Sequence, residues 1–252
     1  MTQLHRQNLI LDQINDNGFV TIDELVEHFQ VTPQTIRRDL NQLAKEKKIR
    51  RHHGGAGLES STINTAYQER KIMNLEAKER IATELVQHIP NGASIFINIG
   101  TTTETIARAL LNHQDLMVVT NNIHVASILS AKNDFTVIIA GGEVRSRDGG
   151  IVGEATCDFI NQFQMDFGII GISGIHSDGS LLDFDYREVR VAQAIIENSH
   201  QVLLAADHSK FGRSAMVRLG NINQANHLFT DQAIPLDIQD ILETHHVKLH
   251  EV

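Results

Sequence analysis

At 252 residues the chain is long enough for one small domain and one of medium size, and its net charge of -9 gives it no general attraction to a polyanion. A single cysteine, Cys157, excludes an intramolecular disulfide, and no apolar run approaches the length of a membrane span. No charged-then-apolar leader follows Met1, so the expected setting is the cytoplasm, with no membrane partner.

Leu4, Ile10, Leu11 and Ile14 recur at helical spacing up to Asn17, where Gly18 suits a left-handed stop. Phe19-Val20 reads as a short strand. Thr21-Ile-Asp-Glu24 matches a capping box, opening a second helix through Leu25, Val26 and Phe29. Val31-Thr32 leaves room only for a tight turn: Thr32 can cap a third helix, Pro33 fits its first turn, and Ile36, Leu40 and Leu43 form its inner face. Three helices joined this way predict a helix-turn-helix. Ile49 to Gly57 alternates basic and small residues and reads as a β-ribbon wing.

Charge singles out this segment. From Gln34 to His53 there are seven Lys or Arg against two acids, whereas the chain beyond residue 57 carries 14 against 24. In such a unit the second helix of the motif enters the major groove of double-stranded DNA, its N-terminal residues facing base edges. Gln34 and Thr35 are therefore candidates for base contact, and Arg37 for a guanine edge or a phosphate. Arg38, Lys45, Lys47, Lys48, Arg50 and Arg51 suit phosphates, which position without specifying. Thr32 at the cap and His52 in the wing complete the candidate DNA-binding set. The competing reading is a solvated helix face with stray charge.

A polar connector, Glu59-Ser-Ser-Thr-Ile-Asn64, follows. Helical period returns from Tyr67 to Ile89. Short apolar runs then alternate with helical patterns, predicting βα units and a mainly parallel sheet. The strand candidates are Ser94 to Ile99, Leu116 to Thr120, Phe135 to Ala140, Phe167 to Gly171, Gln201 to Ala206 and His227 to Thr230. The expected division is 1–57 for a winged helix-turn-helix domain, 58–74 for a linker and 75–252 for an α/β domain.

In open sheets of this kind ligands bind beyond the carboxyl ends of the strands. Gly100, Thr101, Thr102 and Thr103 follow the first strand and open a helix, so amides and hydroxyls converge at a positive helix end that suits phosphate. The alternative is a capping box of Thr101 and Glu104 that binds nothing. Asn121 and Asn122, Gly141 and Gly142, Ser173, and Lys210 occupy four further strand ends, where Lys210 supplies a point charge or is an ordinary surface lysine. Arg145, beside Arg147 and Asp148-Gly-Gly150, forms an anion clamp or a charged loop. Asp183, Asp185 and Glu188 suit either the acid and base of an isomerase or, for Asp185 and Glu188, a cap with an acidic first turn. The fourteen His show no zinc spacing, so no metal site is expected, and with no nucleotide-binding loop no cofactor is expected either.

Thr35-Ile-Arg-Arg-Asp-Leu40 and the glycine-rich Arg51-His-His-Gly-Gly-Ala56 resemble the signature of the DeoR family of bacterial repressors. Gly100-Thr-Thr, Thr120-Asn-Asn, Ala140-Gly-Gly, Gly153-Glu-Ala and Asp207-His-Ser-Lys-Phe211 are similar to motifs of that family's effector domain, so the resemblance spans almost the whole chain. It implies a C-terminal fold like ribose-5-phosphate isomerase, a transcriptional repressor rather than an enzyme, operator DNA and a small phosphorylated metabolite as partners, and a homo-oligomer. Asp148-Gly-Gly-Ile-Val-Gly-Glu-Ala155 and Leu182-Asp-Phe-Asp-Tyr-Arg-Glu-Val189 resemble the branch that responds to glycerol 3-phosphate. Asn98 stands where the family usually has Asp. Gly171-Ile-Ser-Gly-Ile175 lacks the acids that isomerases of this fold carry there, which argues against catalysis.

Overall fold

The structure, a computed structural model, describes residues 2–252 apart from 18, 47, 53 and 58–63, with the backbone alone for residues 15–17, 19 and 52. It divides into two compact units, 1–60 and 61–252. No helix among the described residues is long and apolar enough to cross a membrane.

The first unit runs α1 (Gln3–Asn17), β1 (Phe19–Thr21), α2 (Ile22–Phe29), α3 (Pro33–Lys45), β2 (Arg50–His52) and β3 (Gly55–Gly57). Its helix starts follow from local chemistry. Thr21 and Glu24 form a reciprocal capping box at α2, and Thr32 accepts from the Thr35 amide at α3 with Pro33 in the first turn. Gln30 closes α2 in the left-handed region at φ 52°. Ile10, Ile14, Leu25, Ile36, Leu40 and Leu43 form one core with Val20, Ile49 and Ala56. The antiparallel β2–β3 ribbon is joined by β1 into a three-stranded sheet, with Arg51 opposite Ala56.

The second unit begins with α4 (Tyr67–Ile72) and α5 (Leu75–Val86). One helix was expected here; two are found, because Asn74 sits at φ 51° and its side-chain amide donates to Asp207 at 2.9 Å. Residues 64–74, expected in the linker, are part of this unit.

There follow β4 (Ser94–Ile97), α6 (Thr101–Leu110), β5 (Met117–Thr120), α7 (Ile123–Leu129), β6 (Thr136–Ile139), β7 (Glu143–Val144), β8 (Ile151–Val152), α8 (Glu154–Ile160) and β9 (Met165–Gly171). The chain continues through β10 (Gly174–Ile175), β11 (Ser180–Asp183), α9 (Tyr186–Glu197), β12 (Ser199–Ala205), β13 (Val217–Asn221), β14 (His227–Thr230), α10 (Leu236–Thr244) and β15 (Lys248–Glu251).

Seven parallel strands make the main sheet in the order β15-β14-β12-β9-β4-β5-β6. Strand alternation sends Ile95, Ile97, Val118 and Ile169 to one face, where Ile81, Leu85, Ile106, Leu110 and Val125 of α5, α6 and α7 meet them. Phe96, Val119, Ile170 and Leu204 point the other way, against Ile160, Val191, Ile195 and Ile238 of α8, α9 and α10. Residues buried on both faces explain the unbroken apolar runs that marked these strands in the sequence. The antiparallel β10-β11-β13 sheet and the β7-β8 ribbon were not expected, nor was β15, an edge strand whose polar residues give no apolar run.

Candidate functional site

Helix α3 presents two faces of opposite character. Ile36, Leu40 and Leu43 are buried, while Gln34, Arg37, Arg38, Asn41, Gln42 and Lys45 line one exposed groove along the outer side. Thr32 is exposed and spent on capping, and Thr35 is half-buried with its hydroxyl 2.9 Å from that of Thr32. Asp39 faces inward: Arg6 Nε lies 2.5 Å from its Oδ2 and Gln7 Nε2 donates to its Oδ1 at 3.4 Å. The charge of α3 is thereby sorted, basic outward and acidic inward.

Beside the helix, Arg51 is half-buried on β2, and its Nη1 is buried without a hydrogen-bond partner. Burial, with Arg37 nearby, lowers the basicity of that guanidinium. Arg50 is half-buried, and Lys48 is exposed in an ion pair of 2.8 Å with Glu46. Lys47 and the side chain of His52 lie outside the described residues. Stacking positive charge against positive charge is unfavourable for the isolated protein and is relieved by an anion.

In the second unit, Arg70, Gly100, Thr101, Thr102, Ser173, Asp183, Glu188, Lys210 and Arg213 line one pocket with Ile99, Gly171 and Ile172. It lies beyond the carboxyl ends of β4 and β9. Gly100 precedes α6 at φ 153°, a value that favours glycine, and the first-turn amides of α6 have no intrahelical partner. The Thr101–Glu104 box, the alternative to a phosphate site, does not form. Thr101 Oγ1 instead accepts from Lys78 Nζ at 3.1 Å, and Glu104 takes the Tyr67 hydroxyl at 3.0 Å.

Of the sequence-predicted effector residues, Gly100, Thr101, Thr102, Ser173 and Lys210 come together there. Six others do not line the pocket, and each has a local partner or packing role. Thr103 Oγ1 donates to the carbonyls of Asn98 and Gly100 at 2.7 and 2.8 Å. The Asn121 side chain donates to Ile151 O, and Asn122 caps α7. Gly141 O accepts from Thr156 Oγ1 at 2.8 Å, and at Gly142 a Cβ would fall 2.1 Å from that same oxygen, so the close approach admits only glycine. Arg145 is held by Asp148, Asp185 and Glu188 at 2.8, 3.1 and 2.7 Å. It is the hub of a buried ion cluster rather than an open anion clamp.

Asp185 caps α9 through the Arg187 amide, as its spacing allowed. Asp183 and Glu188 do line the pocket. Burial raises both, and for Glu188 the nearby Asp183 adds to the rise against the pull of Arg145. Opposite stand cations that burial disfavours: Lys78 falls to about 8 through desolvation and the proximity of Lys210, and Lys210 is lowered by desolvation and the nearby Arg213 and Arg70 against the pull of Asp207. Asp207, which burial alone would raise, is held at about 2 by Lys210 and by hydrogen bonds from Ser209 and Asn74. A pocket lined by the desolvated Lys210 and free helix amides, with Lys78 bonded to its Thr101, attracts an anion, and its carboxyl groups offer acceptors to hydroxyls.

Sequence reasoning missed Arg70, Lys78 and Arg213 as lining or supporting groups, while Asp183 and Glu188 were singled out only as the acid and base of an isomerase. Arg70 comes from α4, where its Nε donates to Thr65 O at 3.1 Å and its Nη2 lies 3.6 Å from Asp148. Tyr67 of the same helix stacks on His124 at 5.3 Å between ring centres. Lys78 Nζ donates to Arg70 O. Nothing in the local pattern separates these from surface charges; only the packing of α4 does. Asn98, 2% exposed, leaves its Oδ1 buried without a partner.

Residues 6–62 match the DeoR-like helix-turn-helix domain and residues 73–232 match the DeoR C terminal sensor domain. The glycerol-3-phosphate regulon repressor of Escherichia coli (strain K12) is 57% identical over 249 residues, covering 99% of each chain. That of Haemophilus influenzae is 51% identical, covering 99% of this chain and 97% of its own. Among solved structures, ribose 5 phosphate isomerase A from Neisseria gonorrhoeae aligns at a TM-score of 0.39 with 16% identity, over 53% of this chain and 52% of that one.

Proposed function

This chain belongs to the DeoR family, with the helix-turn-helix followed by the sensor domain, and from that premise we propose that it represses a glycerol catabolic regulon in the cytoplasm and leaves operator DNA when glycerol 3-phosphate binds. The observation that carries this reading is the sorted charge of α3: an apolar inner face, an inward Asp39 and an exposed row of Gln34, Arg37, Arg38 and Lys45 in an acidic protein.

Gln34 and Thr35 contact base edges, and Arg37 a guanine or a phosphate. Arg38, Lys45, Lys48, Arg50 and Arg51 hold phosphates, with the wing beside the groove. Residues 1–57 are the reader, and the sensor, expected over 75–252, also takes in α4 with its Arg70. The protein acts as a homo-oligomer, which places recognition helices on half-sites about one DNA turn apart.

In the sensor, the phosphate lies on the amides and hydroxyls of Thr101 and Thr102, with Lys210 and Arg70 closing on it. The hydroxyls of the three-carbon backbone meet Asp183, Glu188 and Ser173. An incoming phosphate competes with Asp148 for Arg70, and so acts on α4, the first helix after the linker. A ligand switches the protein only through a difference in affinity between its two states, and about 1 to 3 kcal/mol is enough for useful control. Thermal unfolding of the purified protein against a panel of phosphorylated metabolites tests the assignment, since a ligand of the native state raises the midpoint. Glycerol 3-phosphate is expected to give the largest rise; a flat response to it beside a rise with another phosphate contradicts the effector named here.

A further inference from the structure

Far along the sequence from one another, His88, His227 and His250 meet beside the main sheet. His88 follows the end of α5, His227 opens β14 and His250 lies on β15. One ring nitrogen from each lies within 4.8 Å of the other two, a cluster that stands by itself among the described residues. His227 Nδ1 and His250 Nε2 are 2.9 Å apart, with their rings stacked at 5.1 Å. The His88 ring meets that of His250 edge-on at 4.4 Å, and Phe229, fully buried, stacks beneath His250 at 4.4 Å. Glu84, one turn before His88, brings Oε1 to 3.4 Å from His88 Nε2.

We propose that His88, His227 and His250 form a binding site for a divalent transition-metal ion of the zinc class. Imidazole nitrogens suit zinc, and three protein nitrogens at about 2.0–2.1 Å with a fourth position for water or carboxylate is a familiar zinc arrangement. Tetrahedral ligands at that bond length stand about 3.3–3.4 Å apart, so nitrogens that now lie up to 4.8 Å apart close by at most about 1.5 Å, and the His227–His250 pair opens slightly from 2.9 Å. Glu84 supplies the fourth ligand or orients His88. The rings of His227 and His250 now share one proton, so one is donor and the other acceptor; on metal binding the donor shifts its proton to its other nitrogen, and no proton need leave. The ion ties the edge strand β15 to α5, stapling the end of the sheet. The linear spacing of the histidines conceals this because each comes from a different element.

The test is calorimetric titration of the chelator-treated full-length protein with Zn2+ alone, joined to thermal unfolding with and without Zn2+. One Zn2+ per chain and a raised midpoint are expected. His88→Gln, at a partly exposed position that tolerates the change, and His250→Gln should each weaken binding more than about tenfold, the loss that even an outer-shell partner causes. His245→Gln should leave binding unchanged. Absence of saturable binding overturns the proposal, as does equal affinity in the His88→Gln protein or loss of binding on His245→Gln. If His250→Gln fails to fold, His88→Gln decides alone.

Discussion

Asp39, the acid of the Thr-Ile-Arg-Arg-Asp run, takes Arg6 Nε at 2.5 Å and so fastens α3 to α1 from the side opposite the basic face. The side chains are 1% and 10% exposed, so this is a buried pair. Removing one partner of such a pair leaves an uncompensated charge and costs about 3–5 kcal/mol. Asp39→Asn should therefore lower the stability of the first unit by an amount of that order and weaken operator binding, though Asp39 itself faces away from DNA. Urea unfolding alongside operator titration checks it; full stability with weakened binding would instead place Asp39 at the DNA.

Phosphate and base contacts separate by salt and sequence. Arg38→Ala should weaken binding to operator and to unrelated duplex alike, and reduce the slope of log affinity against log salt by about 1, as loss of one phosphate contact does. Gln34→Ala should leave that slope alone and change discrimination between operator variants by about 1–3 kcal/mol at one position. Unchanged discrimination removes Gln34 from the base contacts.

The pocket is testable without touching the reader. Thr102→Val removes a hydroxyl at the start of α6, and Arg70→Ala removes the cation that α4 contributes. Both variants should bind operator as the parent protein does. Thr102→Val should bind glycerol 3-phosphate more weakly, while Arg70→Ala should in addition lose coupling between effector and DNA. Normal release by effector in Arg70→Ala would dismiss α4 as the transmitting element.

Lys78 gives a pH signature. Its amine titrates at about 8 in the folded protein against 10.5 in the free side chain. Between these values the unfolded chain holds a proton that the folded one lacks, so stability rises with pH across that window. The contribution of Lys78 is thus least favourable below about pH 8 and improves toward pH 10.5. Denaturant unfolding from neutral to alkaline pH should show a rise in the parent protein relative to Lys78→Met, in which the lysine contribution is gone. Parallel profiles would contradict the burial assigned to this amine.

What was legible in the sequence was local. The Thr21–Glu24 box, the Thr32 cap with Pro33 and the alternation of basic and small residues in the wing each fit within a few residues, so pattern and structure agree there. The parallel strands were legible because both faces are covered, leaving apolar runs without polar interruption. The pocket was half legible: Gly100 to Thr102 announces a helix start, and Lys210 follows a strand. Arg70 is a single charged residue brought in from α4, and no spacing records that; Asp183 of β11 was singled out with Glu188, but for an isomerase's acid and base rather than for an effector pocket. Gly142 and Thr103 carried the right residue types for a loop near a ligand, but close packing and local hydrogen bonds use them. Edge strand β15 was hidden by its own polarity.

The central claim joins one ligand to one DNA-bound state. Fluorescence anisotropy of labelled operator should give tight binding by the purified full-length protein, with the affinity falling about 5- to 150-fold on saturation with glycerol 3-phosphate, the range that a coupling of about 1–3 kcal/mol provides. Lys210→Ala should bind the same operator and show no such fall. Operator affinity that is indifferent to glycerol 3-phosphate in the parent protein, under conditions where the compound raises its thermal stability, would contradict the account.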